Sequence, residues 1–292
     1  KTMMRHHLAA AQRVNDDAVD GASVAYNLAL PGLAFLGELR GEVNVDTLVA
    51  ARKAAKTIVA DDLHEELVGA VAAARSDGPF EMTPSAVGRR AIVTICLDYL
   101  LASSHDSAVS LAEDIYRSAD NMTLWAGALR SIVGSVLPSA AAARDWMLAD
   151  FYTKGEKDAL VMDLWFSIQA AGAGSDAVDR VKALMSHPDY TLEVPNRMRS
   201  VLGGFAGQKM AGFHAASGDG YALLADTVIK LDQFNPQMAA RMLGPLTRWR
   251  KFDSSRQALM RGALERIQSQ DALSADVFEV VSKSLDAPST DA

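Results

Sequence analysis

The segment His64-Glu65-Glu66-Leu67-Val68 begins a pattern found in zinc hydrolases. Those enzymes often place two histidines four residues apart with a glutamate base between them, because positions i and i+4 lie on one face of a helix. Val68 occupies the position of the second histidine, so the pattern is incomplete. A metal enzyme that uses His64 and the acidic residues around it is the third of three functional interpretations that we consider.

The remaining histidines have no carboxylate or cysteine at ligand spacing, and we expect structural or surface roles for them. They are His6, His7, His105, His187 and His214.

Cys96 lies in an apolar stripe, whereas a nucleophilic cysteine needs exposure and a neighbour that lowers the thiol pKa. We therefore expect a buried, inert thiol.

The loop Ser217–Tyr221 has the glycines of a phosphate loop but neither a preceding strand nor a following lysine. We therefore predict a turn in which Asp219 caps the next helix.

Two tracts near the C-terminus, Pro195–Ser200 and Asn235–Arg241, each predict a helix start with arginine directed away from the apolar face. In the first helix Arg199 lies outside the stripe, and Gly203 follows one turn later. The apolar stripe there consists of Met198, Val201, Leu202 and Phe205.

In the second helix Gln237, Arg241 and Arg248 fall on a different side from the stripe. That stripe consists of Met238, Met242, Leu246 and Trp249. Gly244 leaves open space between the two arginines, and Pro245 predicts a kink or break because it removes a helical hydrogen bond. Such arginines could bind an anionic ligand, but on the residues alone ordinary capping, pairing or solvation is the favoured explanation.

Composition places the chain among ordinary globular proteins. Its 292 residues are 49% hydrophobic and 22% charged, and no apolar run reaches the roughly 18 residues of a membrane helix. The net charge of -7 argues against nucleic acid or an anionic membrane as a partner, because those surfaces attract basic proteins. A single cysteine excludes an internal disulfide, and no export signal is visible, so we expect a cytoplasmic location.

The chain repeats at helical period almost throughout, which predicts an all-α protein of about fifteen helices. One clear example is residues 84–103, where Thr83 caps, Pro84 starts the helix and apolar residues recur at helical spacing. Short connections predict stacked antiparallel helix pairs, the armadillo- or HEAT-like superhelical solenoid. We predict one helical-repeat domain over residues 1–285 and a flexible tail over 286–292.

Several short motifs occur in a fixed order along the chain: Asn121-Met122-Thr123, Leu160–Asp163 with Trp165-Phe166, Pro195–Ser200, Phe213-His214-Ala215, Gly220-Tyr221 and Asn235-Pro236-Gln237. Together they resemble the C-terminal domain of bacterial aminopeptidase N, the zinc-dependent alanyl aminopeptidase family. The resemblance extends over nearly the whole chain and is densest after Asn121. Family members often have Asn-Pro-Asn where this chain has Val194-Pro195-Asn196, which we expect to keep both the proline and the cap.

The resemblance implies that zinc and the catalytic groups belong to an upstream catalytic domain of the same polypeptide, so neither a metal ligand nor a catalytic residue is expected here. It implies that this domain closes over the catalytic domain and restricts access to peptides. Gln237 matches a residue lining the pocket for the substrate's first residue. Arg241 and Arg199 match arginines that project into the chamber, with Asn196 as a helix-start cap beside them. A guanidinium suits this role because its rigid fork can bind a carbonyl or carboxylate.

On this interpretation the chain alone is inactive, and the parent protein releases N-terminal amino acids from peptides. A different class of function remains open, a stand-alone helical scaffold whose concave face binds a partner protein.

Overall fold

The computed structural model describes residues 2–16, 18–76, 78–172, 174, 176–208 and 210–286, with residue 208 described by its backbone only. This part of the chain forms eighteen α-helices and no strand, and its β-type pairing is one isolated parallel bridge between Val43 and Phe252. Fifteen of the helices have seven or more residues. The all-α class and the expected number of helices are therefore confirmed.

The helices are given in chain order. The first ten are α1 (Thr2–Ala11), α2 (Gly21–Leu28), α3 (Leu33–Glu38), α4 (Val45–Asp62), α5 (His64–Ala74), α6 (Pro84–Leu100), α7 (Ser107–Ser118), α8 (Met122–Gly134), α9 (Ala140–Gly155) and α10 (Ala159–Ala170). The other eight are α11 (Ala177–Met185), α12 (Pro195–Gly203), α13 (Met210–Phe213), α14 (Asp219–Asp232), α15 (Pro236–Met242), α16 (Gly244–Thr247), α17 (Ser254–Gln268) and α18 (Ala275–Asp286). A π-helical turn, Gly204–Gln208, follows α12, and a 3₁₀ turn, Trp249–Lys251, follows α16.

The chain forms two compact units. Unit 1 comprises Lys1–Gly32 and Ala51–Ile168, and unit 2 comprises Leu33–Ala50 and Gln169–Ala292. The single domain over 1–285 stays a prediction. In the expected flexible tail, Asp286 is the last residue of α18, and residues 287–292 lie outside the described residues. No helix in the described ranges has both the length and the apolar composition that crossing a membrane requires.

Helix α6 is the centre of unit 1 and packs against α2, α5 and α8. It begins as predicted, since the hydroxyl of Thr83 accepts a hydrogen bond from the Ala86 amide at 3.3 Å and Pro84 occupies the first turn, where a missing N–H costs nothing. Its inward face is buried along its length, which places an apolar stripe at helical spacing in the core. The buried residues include Ile92, Val93, Cys96, Leu97 and Leu100.

The crossing of α2 and α6 depends on two glycines. A Cβ atom on Gly88 would lie 2.9 Å from the amide nitrogen of Ala22 and 3.0 Å from the carbonyl carbon of Gly21. These neighbours are backbone atoms, so a side chain at this position would force the helices apart. Farther along the same contact, the hydroxyl of Tyr99 donates a 2.7 Å hydrogen bond to the carbonyl of Leu28.

In unit 2, α14 packs against α15 and α17, and α15 and α17 both pack against α18. The short segment Leu33–Ala50 joins this unit through polar contacts. The Val43 amide donates to the Lys251 carbonyl at 2.6 Å, and Glu38 forms ion pairs with Arg248 and Lys251. Main-chain and charged contacts therefore anchor a segment that is distant in sequence from the rest of the unit.

We predict that Gly88→Ala lowers the free energy of unfolding by about 1–3 kcal/mol, because the added methyl overpacks the α2–α6 crossing. Gly134→Ala is the matched control, since no heavy atom lies within 4 Å of a Cβ built on Gly134. Urea unfolding followed by circular dichroism measures both variants. Equal stability of the Gly88 variant and the control would show that the crossing does not require a glycine.

Candidate functional site

His64 is the first residue of α5, and its imidazole stacks on that of His105 with ring centroids 3.9 Å apart. The contact between these two histidines was not expected from the sequence. Their positions, 41 residues apart in sequence, gave no spacing signal. Burial lowers the pKa of His64, and the neighbouring His105 lowers it further. The stack is a packing contact, since the ring faces rather than the ring nitrogens meet.

The acidic residues around His64 do not gather into a ligand set. Asp61 accepts hydrogen bonds from the amide and the hydroxyl of Ser104 at 2.8 and 3.1 Å, and Glu66 forms an ion pair with Arg5 at 3.4 Å. Within the described ranges no three histidine, cysteine, aspartate or glutamate side chains are close enough to hold a metal ion.

Cys96 is buried within α6, as predicted, and burial raises the pKa of its thiol to about 12. The thiolate is the nucleophilic form of cysteine, and it is not populated at neutral pH with such a pKa. Cys96 is therefore a core side chain.

The first arginine tract forms α12, and its predicted stripe is buried, including Met198 and Val201. Arg199 and Asn196 are exposed on the other side of this helix, three residues apart. A Cβ on Gly203 would meet no heavy atom within 4 Å, which confirms open space one turn beyond Arg199. The π-helical turn that follows α12 is an uncommon element, often found near functional sites.

The predicted cap on α12 is wrong. The N-cap residue is Val194, which has an extended backbone and no capping side chain, and Asn196 lies inside the first turn. Proline favours the first helical position and excludes its predecessor from the helical region, so the residue before Pro195 must be the N-cap. Valine has no polar side-chain atom, so this helix start lacks a side-chain capping hydrogen bond.

The second arginine tract forms α15, and here the asparagine does precede the proline. Asn235 is the N-cap, and its side-chain oxygen accepts from the Met238 amide at 3.2 Å. Gln237 and Arg241 lie four residues apart on the exposed face, whereas Met238 and Met242 face the core. The helix ends after Met242 and resumes at Gly244, so the break predicted from Pro245 is confirmed.

Arg241 differs from the five other arginines between residues 241 and 266. Arg248 pairs with Glu38, Arg250 donates to the carbonyls of Ser284 and Leu285, Arg256 pairs with Asp46 and Asp253, Arg261 pairs with Glu265, and Arg266 pairs with Asp226. Within the described part of the chain, the side chain of Arg241 makes no hydrogen bond or ion pair, and neither do those of Gln237, Arg199 and Asn196. All four predicted site residues are exposed, and their side chains have no polar partner among the described residues.

The structure brings these four residues together in pairs. Gln237 and Arg241 are neighbours on α15, and Asn196 and Arg199 are neighbours on α12. The main packing partners of α15 are α14 and α18, whereas α12 packs against α11 and the π-helical turn. Contact between α12 and α15 is not one of the extensive helix contacts among the described residues.

A buried polar network in unit 2 was not expected from the sequence. His214 is 6% exposed, and its Nδ1 lies 2.9 Å from the hydroxyl of Tyr221. The carbonyl of His214 accepts a 2.7 Å hydrogen bond from Nε of Arg256, which is 4% exposed. The remaining groups of Arg256 reach Asp253 at 2.8 Å and Asp46 at 2.9 and 3.0 Å.

Two glycines shape the turn that connects His214 to α14. Gly218 is the N-cap of α14 and has a left-handed backbone with φ of 76°, so the predicted cap by Asp219 is wrong. A Cβ on Gly220 would lie 2.3 Å from the carbonyl oxygen of Phe213. Only glycine permits this close approach, which places Tyr221 against His214.

The network holds His214 in its neutral form. Burial, and then the charge of Arg256, lower the pKa of His214 to about 4. For Arg256, burial favours the neutral form, but hydrogen bonds from its guanidinium to Asp253 and Asp46 outweigh it and raise the pKa. A histidine with a low pKa beside a fixed cation has a structural role at neutral pH.

The chain matches a known protein family. Residues 2–286 match the model of a family described as a domain of unknown function (DUF3458_C) with ARM repeats. The chain belongs to this family of helical-repeat domains, which agrees with the predicted solenoid class. It is the C-terminal helical-repeat domain of aminopeptidase N-like proteins, as the sequence resemblance predicted.

Three relatives named aminopeptidase N support this assignment. The protein of Haemophilus influenzae is 36% identical over 88% of this chain, that of Escherichia coli is 32% identical over 92%, and that of Caulobacter vibrioides is 36% identical over 92%. The chain spans only 29%, 30% and 31% of the length of these relatives.

A solved structure shows the same fold. The crystal structure of Legionella pneumophila aminopeptidase A in complex with aspartic acid matches 95% of this chain with a TM-score of 0.83 and 29% sequence identity. The match covers 33% of the Legionella chain.

The low pKa of His214 predicts a pH dependence of stability. The folded state keeps His214 neutral down to about pH 4, whereas the unfolded chain binds a proton near pH 6.5, so stability falls as the pH drops between these values. Between pH 6.5 and 4.5 this residue should account for about 2–3 kcal/mol of lost stability.

The measurement compares urea unfolding at the two pH values for the wild type, His214→Gln and the control His6→Gln at an exposed position. We expect a smaller pH effect in His214→Gln alone. An NMR titration that places the pKa of His214 at 6 or above would contradict the assignment.

Proposed function

We propose that this chain is the C-terminal domain of a zinc-dependent aminopeptidase N, and that it lines the substrate chamber and restricts access to peptides. The parent enzyme would release amino acids from peptide N-termini. The family membership and the three relatives named aminopeptidase N support this proposal.

The observation that carries the proposal is the exposed pair Gln237 and Arg241 on α15. Their polar groups have no partner in the described part of the chain, although the neighbouring arginines are all engaged. The helix beneath them is fixed by the Asn235 cap and by buried Met238 and Met242. The rigid helix fixes the backbone of Arg241, so its unpaired guanidinium stays on the exposed face, where a ligand can order it.

The chemistry of these groups suits a peptide. The rigid fork of Arg241 can donate two parallel hydrogen bonds to a carboxylate or bind a peptide carbonyl. The amide of Gln237 both donates and accepts, which suits the groups of a substrate's first residue. Arg199, on α12, would supply a second cation to the chamber, with Asn196 beside it.

On this proposal, residues of this chain do not bind the zinc. The described residues do not gather three potential ligands, so the zinc would be held by the catalytic domain of the same polypeptide. When bound, zinc would activate the water that attacks the peptide. The groups of α15 and α12 would bind and orient the peptide. A cytoplasmic location fits the single buried cysteine.

We expect Arg241→Ala and Gln237→Ala in the full-length parent to lower kcat/KM about tenfold or more, because each removes hydrogen bonds to the substrate. Arg241→Ala should act on most peptides, and Gln237→Ala should also change the preference for the first residue. The measurement is steady-state kinetics on several aminoacyl substrates, with metal content determined in parallel.

Arg261→Ala is the control, because Arg261 is an exposed arginine of the same unit that already pairs with Glu265. Its kinetics and the zinc content of all three variants should equal those of the wild type. If Arg241→Ala and Gln237→Ala leave kcat/KM unchanged for every substrate, the chamber assignment is wrong.

A further inference from the structure

Unit 1 contains a cleft with a cavity volume of about 390 Å³ that the proposed function does not use. We call it the arginine cleft, and we define it by Arg75, Arg89, Arg90, Phe80, Val93 and Ile115. The C-terminal end of α5, the first turns of α6 and the end of α7 contribute to it, together with the start of α8. Its size is that of a site for a small organic molecule.

The two sides of the cleft differ in polarity. Val93 and Ile115 are buried side chains that form an apolar floor, and Phe80 is half exposed at the rim. Three guanidinium groups line the same space. A cavity of this kind fits a molecule with an anionic end and an apolar body, because each end meets a matching surface.

The three arginines differ in their polar partners. Arg75 pairs with Asp114 at 2.6 Å. In contrast, Arg89 donates only to the hydroxyl of Ser85, at 3.1 Å, and Arg90 donates to the carbonyl of Glu81, at 2.9 Å, with a longer contact to the sulfur of Met82. Neither forms an ion pair with a described carboxylate.

Arg90 is also held in place. Its guanidinium carbon lies 5.0 Å from the centroid of the Phe80 ring, over the ring face. This cation–π contact and the Glu81 carbonyl fix the plane of the guanidinium, and N–H groups remain for a ligand. The adjacent Arg89 adds a second fork on the same turn of α6.

Two carboxylates line the cleft as well, and both have neutral partners. The side chain of Glu81 accepts from the hydroxyl of Thr83 at 3.4 Å, and that of Asp120 accepts from the amide of Asn121 at 2.8 Å. Neither carboxylate forms an ion pair with Arg89 or Arg90, so N–H groups of both arginines remain for a ligand.

We infer that the arginine cleft is a binding site for a small organic carboxylate with an aromatic or alkyl body. The carboxylate would be bound by Arg89 and Arg90, and the body would lie on Val93 and Ile115 beside Phe80. A planar carboxylate matches two guanidinium forks better than a tetrahedral anion without an apolar part, because the apolar floor then also contributes.

The test is calorimetry on the full 292-residue chain at low ionic strength with 3-phenylpropionate, its neutral amide and inorganic phosphate as probes. We expect saturable binding of the carboxylate and at least about tenfold weaker binding of the amide and of phosphate, since each lacks one half of the recognised chemistry. Absence of saturable binding, or equal binding of the amide, would overturn the inference. Equal binding of phosphate would overturn the apolar part of the assigned ligand class.

Variants locate the site. Arg89→Gln and Arg90→Gln should each weaken binding of the carboxylate about tenfold or more, and Arg130→Gln, at an exposed position of α8 outside the cleft, should change it less than about twofold. Arg89→Lys retains the charge and the fold while removing the fork, so it should bind more weakly than the wild type and more tightly than Arg89→Gln. Unchanged binding in both Arg89 variants would place the ligand elsewhere.

Discussion

The buried guanidinium of Arg256 is the interaction on which unit 2 depends. A cation removed from water is tolerated only when its charge and its N–H groups are satisfied, and removing a partner of a buried pair typically costs about 3–5 kcal/mol. Arg256 meets this requirement with the carbonyl of His214 and the carboxylates of Asp253 and Asp46. One side chain thus fixes the turn before α14, the cap of α17 and the segment at the start of α4. Burial, and then the charge of this cation, keep His214 neutral.

The same requirement separates structural arginines from those available for binding. Arg248, Arg250 and Arg256 are each satisfied by groups of unit 2 and hold its segments together. Arg241 lies in the same stretch of sequence but projects from a helix whose apolar face is already packed. A rigid support with an unused cation is what a site for a carbonyl or carboxylate needs. The arginine cleft of unit 1 repeats this arrangement on α6, where the guanidinium of Arg90 is held by neutral groups.

Local rules predicted the helices well because helix starts, stripes and breaks depend on near neighbours. Thr83 caps α6 and Pro236 starts α15 where expected, and Pro245 breaks the helix pattern. The same locality makes Val194 rather than Asn196 the cap of α12. The exposure of Gln237 and Arg241 followed from helical period alone. The Arg256 network could not be predicted in this way, because its partners lie 42 and 210 residues away, and only the folded chain brings them together.

The most direct test of the central claim is a crystal structure of the full-length parent enzyme with a non-hydrolysable peptide analogue bound. We expect the guanidinium of Arg241 to donate a hydrogen bond of about 3 Å to a carbonyl or carboxylate of the analogue. We also expect Gln237 to contact the first residue of the analogue. An ordered analogue with Arg241 directed to bulk solvent, or paired with a carboxylate of the protein, would contradict the claim.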